Sequence, residues 1–296
     1  MPGITSIGWT DCTLNPYKWH CKAVSPGCAN CFARVMADRW HGAGYFEGGM
    51  PGVKLHRLLL SFTDKDFLAG LRIFLTSMAD PFDARLALDD IAIIWALMAA
   101  DQAHIWQVFT KRHSVMRARL TDPGFEGRVR RALGRLAALA SAPRRLTAER
   151  AAALAAIEAA RTRPVLPLPN VILGASAEDA AMYGRRTRVL RQAPAVCRAV
   201  SFEPMLGDPG RLDLAGIDWV IAGGESGRNH RPMGLGWLES LAGQCQDAGV
   251  ALWVKQDSHH RPEQRGRIPD ELWIHQHCVV PGFSTENHAG TISERS

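Results

Sequence analysis

Asp218-Trp-Val-Ile-Ala-Gly-Gly-Glu-Ser-Gly227 runs from a short apolar stretch straight into two glycines, a glutamate and a serine. The apolar part has the length and the β-branched and aromatic content of a buried strand, and the polar part reads as the loop that leaves it. The same design recurs along the chain. Arg72-Ile-Phe-Leu-Thr-Ser77, His104-Ile-Trp-Gln-Val-Phe-Thr110, Asn170-Val-Ile-Leu-Gly-Ala-Ser176, Val196-Cys-Arg-Ala-Val-Ser201 and Val250-Ala-Leu-Trp-Val-Lys255 are all apolar runs that end in polar or small residues. Ile4-Thr-Ser-Ile-Gly-Trp9 is the candidate first strand.

Helical patterns fill the intervals. Asp89 to Ala100 is apolar nearly throughout, Ala177 to Arg191 forms a second helix, and Gly236 to Ala248 a third that stops at Gly249 as its C-cap. Strands alternating with helices imply βα units and a parallel sheet. Seven such strands predict an α/β fold, a complete or partial (β/α) TIM-like barrel, with a doubly wound sheet as the other option. From about Arg117 to Arg163 the chain is rich in Ala, Arg and Leu, which predicts a helical insertion between the third and fourth strands. Its arginines either solvate an amphipathic helix pair or face nucleic acid, and the first reading is preferred. Residues 1–280 read as one domain, and 281–296 as a polar tail expected to be poorly ordered.

The chain has 296 residues, 47% of them hydrophobic, and a formal net charge of +6. That is enough apolar content for a sizeable core, and the mild basic excess is compatible with an anionic partner without requiring one. The N-terminus carries no basic stretch followed by an apolar one, and no apolar run approaches a membrane span. A cytoplasmic protein is expected. Seven cysteines, an odd number unevenly spread, argue against a disulfide framework and for a metal centre in a reducing compartment.

Three of those cysteines, Cys21, Cys28 and Cys31, fall within eleven residues in a C-x6-C-x2-C spacing, with Pro26-Gly27 just before the second. A tight turn there brings three soft ligands onto one short loop, which suits an iron–sulfur cluster or zinc. Three ligands leave a cluster with one metal position open for chemistry. Cys12 or His20 as a fourth ligand would instead close a structural zinc site. Cys197 and Cys245 lie inside a strand and a helix and read as small core residues.

In parallel α/β folds function gathers at the C-terminal ends of the strands. Here those ends carry Ser77 and Asp80, Thr110 to Arg112, Ser176 to Asp179, Ser201 to Pro204, Gly223 to Gly227, and Lys255 with Gln256. Ser77 with Asp80, and Ser176 with Asp179, also fit helix caps. Glu178 and Glu203 are candidates for contacting a ligand cation or taking a proton. Gly223 and Gly224 permit close approach of backbone to a ligand. Lys111, Arg112 and Lys255 suit a carboxylate or phosphate. His259 and His260 read as solvated.

The order Gly8-Trp-Thr-Asp11, Asn15-Pro16, Cys21-x6-Cys28-x2-Cys31, Ser77-Met-x-Asp80, Thr110-Lys-Arg112, Ser176-x-Glu-Asp179, Ser201-x-Glu-Pro204, Gly223-Gly-Glu-Ser-Gly227, Arg231-Pro232 and Lys255-Gln256 resembles a phage-associated three-cysteine-motif family of unknown function. That family is similar to radical S-adenosylmethionine (SAM) enzymes in its cysteine motif and strand pattern, although the usual first interval there is three residues and here it is six. The resemblance implies that Cys21, Cys28 and Cys31 hold a [4Fe–4S] cluster whose fourth iron binds SAM. Reductive cleavage of SAM, with a reductant protein as electron source, would then produce a 5′-deoxyadenosyl radical that abstracts hydrogen from an unknown substrate, nucleic acid or nucleotide among the options. In that reading Ser77, Asp80, Lys111, Ser176, Glu178, Gly223, Gly224 and Ser226 line the cofactor cavity, and Glu203, Glu225 and Lys255 are the catalytic candidates, with Glu203 or Glu225 meeting the SAM ammonium. The alternative is a non-catalytic nucleic-acid-binding protein with a structural zinc or iron–sulfur site.

Overall fold

The computed structural model describes residues 3–53, 70–141 and 148–283. Eight strands form one sheet in the order of the chain: β1 (Gly3–Ile4), β2 (Cys12–Leu14), β3 (Arg72–Leu75), β4 (Ile105–Thr110), β5 (Val171–Ala177), β6 (Cys197–Phe202), β7 (Trp219–Gly223) and β8 (Ala251–Gln256). β1 pairs antiparallel with β2, and the seven strands from β2 onward are all parallel. Sequential parallel neighbours joined by helical crossovers curl the sheet into a half-barrel. β8 is bordered on its outer side by the C-terminal segment, through an antiparallel bridge between Trp253 and His275.

Six of the strands stand where the apolar runs place them. The first does not. Residues 5–11 leave the sheet after β1, and the first parallel strand is Cys12–Leu14. The reason is Trp9: its ring packs among Phe74, Phe109 and Trp219 on the concave face of the sheet, at centroid distances of 4.7, 5.6 and 6.1 Å. Burying one large aromatic in the half-barrel outweighs the ladder bonds that a longer first strand would have made. Gly174 makes room for this filling, because a Cβ there would run into the Phe109 ring.

The convex face is covered by helices. α1 (Phe32–His41) and the short α2 (Tyr45–Gly48) follow the cysteine loop; α3 is Leu88–Ala100, α4 His113–Leu120, α5 Phe125–Ser141, α6 Ala148–Thr162, α7 Ala180–Leu190 and α8 Leu235–Ala248. α3 is apolar on all sides because it is buried on all sides. The sheet lies beneath it, and α5 and α6 of the insertion lie over it. α5 contributes Phe125, Val129, Leu133 and Leu136 to that layer. Its arginines stay outside: Arg128 pairs with Asp89, and Arg130 donates to the Arg161 carbonyl. Residues 142–147 of the insertion, and 284–296 of the expected tail, lie outside the described residues. Within the described part of the tail, Phe283 packs against the apolar cluster that includes Trp9.

Candidate functional site

The C-terminal ends of the parallel strands form a mouth, and the cysteine loop lies across it. Pro26–Cys28 make one turn of 3-10 helix, and Cys31 caps the start of α1. Four contacts fasten the loop to four strand ends. Cys21 and Cys31 pack against Met78 and its apolar neighbours beyond β3. Arg112, beyond β4, donates to Cys21 Sγ at 3.6 Å and to the Lys22 carbonyl at 2.8 Å. Ser25 Oγ donates to Glu178 Oε1, beyond β5, at 2.6 Å. Asn30 Nδ2 donates to Glu225 Oε2, beyond β7, at 2.8 Å.

Glu178 is the centre of this arrangement. It is fully buried, with Lys111 Nζ at 3.2 Å from one carboxylate oxygen and Arg186 Nη1 at 3.1 Å from the other. Arg186 also donates to the Ser176 carbonyl. Gly27 rests directly on the pair: a Cβ there would come within 2.5 Å of Glu178 Oε1 and 2.8 Å of Lys111 Nζ. No side chain fits at position 27 while the loop keeps this seat. A buried carboxylate between two cations with its remaining lone pair taken by a hydroxyl is fully compensated. Glu178 is therefore occupied with the chain's own cations, and its role here is to seat the loop.

Asp80 is spent in a similar way. It accepts from Thr110 Oγ1 at 2.6 Å and from the backbone N–H groups of Phe82 and Lys111, tying the end of β3 to that of β4. Burial outweighs these bonds and raises its pKa above the ordinary carboxylate value. Ser77 pairs with Asn15, and neither Ser77 nor Asp80 caps a helix. Thr76, between β3 and Ser77, sits at φ 61°, a left-handed conformation that is unfavourable for a β-branched residue and typical of shaped sites. Of the second suggested cap pair, Asp179 alone caps α7, accepting from the Met182 N–H, which leaves Ser176 half-buried at the end of β5.

On the β6–β8 side, Lys255 Nζ lies 3.2 Å from Glu203 Oε1 and 3.8 Å from Glu263 Oε1. All three side chains keep partial exposure, at 20, 14 and 23%. Burial alone would favour neutral Lys255, but the two carboxylates more than offset it and raise its pKa. Glu263 is itself pushed up by burial and by Glu203, against the pull of Lys255. Ser201 Oγ lies 3.3 Å from Glu203. Glu225 is held by Arg231 through paired bonds as well as by Asn30. Burial opposes its ionisation, but Arg231 and Asn30 outweigh that and hold its pKa low. Arg231 also reaches the Pro26 carbonyl of the loop.

The two glycines before Glu225 serve the chain itself. A Cβ on Gly224 would strike the Ser258 backbone, and one on Gly223 would meet Glu203 and Gln256 at 3.3 and 3.4 Å. Their smallness lets β7 and β8 end side by side, where sequence reasoning expected ligand approach. Ser226 continues this contact through a bridge to His259, whose ring packs on that of His260.

The three sulfurs have different surroundings. Burial, with Asp80 and Asp83, pushes Cys21 up to about 12 in spite of Arg112. Burial of Cys28 also favours its thiol, but Lys111, the Val24 and Ser25 backbone and the Ser25 hydroxyl outweigh it and lower the pKa. Cations beside sulfur suit anionic, thiolate-held centres. Among the described residues no three His, Cys, Asp or Glu groups stand close enough to hold one metal ion. A [4Fe–4S] cluster distributes its thiolates over separate irons, so its ligands need not meet at one atom, and a donor set of three thiols fits it. Cys12 is buried in β2 on the helix-covered side, with its Sγ toward the Arg72 carbonyl and its pKa pushed up to about 12 by burial. His20 is buried under Gly49, with Nδ1 engaged by the Tyr45 carbonyl.

Sequence reasoning missed Arg186, Glu263, Ser25 and Asn30. Arg186 stands eight residues after Glu178 on the following helix, a spacing that carries no motif. Glu263 lies in an irregular loop that gives no signal at all. Among the described residues no helix is long and apolar enough to cross a membrane.

The family described as "Protein of unknown function (DUF5131)" matches residues 4–287, and the chain belongs to it. No curated protein and no solved structure matches the chain.

Proposed function

We propose that this family member is a radical SAM-like iron–sulfur enzyme whose cluster is held by Cys21, Cys28 and Cys31 and whose substrate enters the mouth of the half-barrel. The observation that carries the reading is the placement of the three-cysteine loop across four parallel strand ends, fastened through Glu178, Lys111, Arg112 and Glu225. A structural metal module has no need of such a seat. When bound, the cluster and SAM supply a one-electron reductive cleavage of a sulfonium bond.

The chain's own residues do the rest. Arg112 donates toward Cys21, and the Lys111 charge lies near Cys28; both cations favour the thiolate form. Glu203 presents an anionic oxygen for an ammonium group, and Lys255 a cation for a carboxylate, while Glu263 keeps Lys255 charged. Glu225 keeps the loop in place through Asn30 and, with Arg231, sets the charge at its edge. Trp9, Phe74 and Phe109 fill the half-barrel beneath and keep water from reaching the mouth from below.

Anaerobic reconstitution with iron and sulfide, followed by iron and zinc quantitation and an absorption spectrum, tests this directly. The expected result is a brown protein with about four irons per chain, and reductant-dependent release of 5′-deoxyadenosine from SAM. Cys28→Ala abolishes both. A colourless protein that carries one zinc and ignores SAM overturns the proposal in favour of a structural centre.

A further inference from the structure

Opposite the mouth, at the floor of the half-barrel, two cysteines outside the loop face one another. Cys197 opens β6, and Cys278 lies on the C-terminal segment, 81 residues later. Their sulfurs are 3.3 Å apart, and the residues are 1 and 7% exposed. The segment is held in register by bonds along the outer edge of β8: Val254 N–H to the Ile274 carbonyl, Gln276 N–H to the Leu252 carbonyl at 2.8 Å, and Leu252 N–H to Gln276 Oε1 at 3.2 Å. Trp219 Nε1 donates to the Gln276 carbonyl at 2.8 Å. Two residues beyond that anchor, Cys278 has one place to be, and it is against Cys197.

We propose that Cys197 and Cys278 form a modification site: a dithiol that a hydroperoxide converts to an intrachain cystine, covalently fastening the C-terminal segment to β6. The sulfurs need to close from 3.3 Å to about 2.05 Å, a movement within the reach of side-chain torsion on two anchored strands. Access is one-sided. Cys278 lines a cleft of about 530 Å³ with Leu214, Ile217, Gly249, Val250 and His277, whereas Cys197 lies behind it. Cys197 retains its proton, its pKa raised first by the hydrogen bond it shares with Cys278 and then by burial. The order of events follows. Cys278 sulfur attacks the peroxide O–O bond, becomes a sulfenic acid and releases one water (an alcohol from an organic peroxide). Cys197 sulfur then displaces the hydroxyl as a second water, so two thiols and one peroxide give one cystine. Once formed, the bond is shielded from reductants by the same burial. The site is independent of the metal reading, since it lies at the other end of the strands from Cys21, Cys28 and Cys31.

Full-length protein, purified under reductant, is exposed to hydrogen peroxide, then unfolded, alkylated without reduction and digested with trypsin. The expected product joins peptides Gln192–Arg198 and Ile268–Arg295, two hydrogens lighter than their sum, with alkylation lost at both cysteines together and restored when the unfolded protein is treated with dithiothreitol. Cys278→Ser gives no cross-link, and Cys197→Ala leaves Cys278 as a sulfenic acid that dimedone captures. The wild-type measurement stands whether or not either variant folds. Full alkylation of both cysteines after excess peroxide, or a bond from Cys278 to any of the loop cysteines, overturns the proposal. Iron content enters none of these readouts.

Discussion

The floor and the mouth of the half-barrel are built from the same strands and by opposite means. At the floor, Trp9, Trp219, Ile105, Ile172 and Val280 exclude water, and the segment 274–283 closes beneath them. At the mouth the same strands end in Asp80, Lys111, Glu178, Glu203, Glu225 and Lys255, nearly every one paired. Apolar packing is non-directional and tolerates many sequences, while a buried ionic network requires each partner at its place. The difference teaches that one end of the strands is held by apolar packing and the other by paired charge. The cysteine loop belongs to the second end because its seat is electrostatic.

The sharpest way to break that contrast is to empty the floor. Trp9→Ala is expected to cost about 3–5 kcal/mol by denaturant unfolding, from lost burial and the cavity left behind. Under the proposed function, iron bound per folded chain should stay as it was, because the ring contacts of Trp9 are with Phe74, Phe109 and Trp219 rather than with the cysteine loop. Loss of iron binding in the folded fraction would show that the two ends are not separable. Glu178→Ala attacks the mouth instead. It strands Lys111 and Arg186, and a cost of about 3–5 kcal/mol is expected if the pair behaves as a buried one. Unlike Trp9→Ala it should also expose Cys28, read as faster alkylation in the native protein.

Gly27→Ala asks less of the fold and more of the loop. Overpacking against Glu178 and Lys111 is expected to cost about 1–3 kcal/mol, with cluster occupancy falling more than stability does. Equal losses in both would place Gly27 with the floor residues. The pH response distinguishes the two ends without mutation. Glu225 has its folded-state pKa depressed, so its bond to Arg231 stabilises above the unfolded value of about 4.3 and is lost as pH falls through the lower folded value. The thermal midpoint should therefore drop in that acid window, and less so in Arg231→Ala, where only the Asn30 and backbone bonds still hold the pKa down. The smallest effect is expected on the insertion: Arg128→Ala removes an exposed pair with Asp89 and should leave the midpoint unmoved.

Much of the fold is legible before any coordinates. The apolar run Trp219 to Ala222 could only be a buried strand, and Gly249, at φ 65°, ends α8 where the pattern stops. The continuous apolar character of α3 requires cover on both faces, and the Ala- and Leu-rich insertion supplies it. Ile4 to Trp9 misleads because its fate is set by tertiary contacts. A short run with isoleucine and an aromatic reads as a strand, but whether the aromatic prefers a ladder or a hollow depends on the hollow. The site was half legible. Polar residue types at strand ends marked the mouth, yet nothing local said that Glu178 would be consumed by Arg186, or that Glu263 would share Lys255.

What the sequence determined alone is whatever repeats locally: strand length, helix ends, the three-cysteine spacing and the polar character of each strand end, since these follow from periodicity and backbone preference within a few residues. Which cation each carboxylate meets, which glycine is needed for packing, and that Cys278 comes to rest against Cys197 were decided by the tertiary structure. Each depends on groups far apart in the chain meeting at one point, where burial and pairing, rather than residue type, set their chemistry.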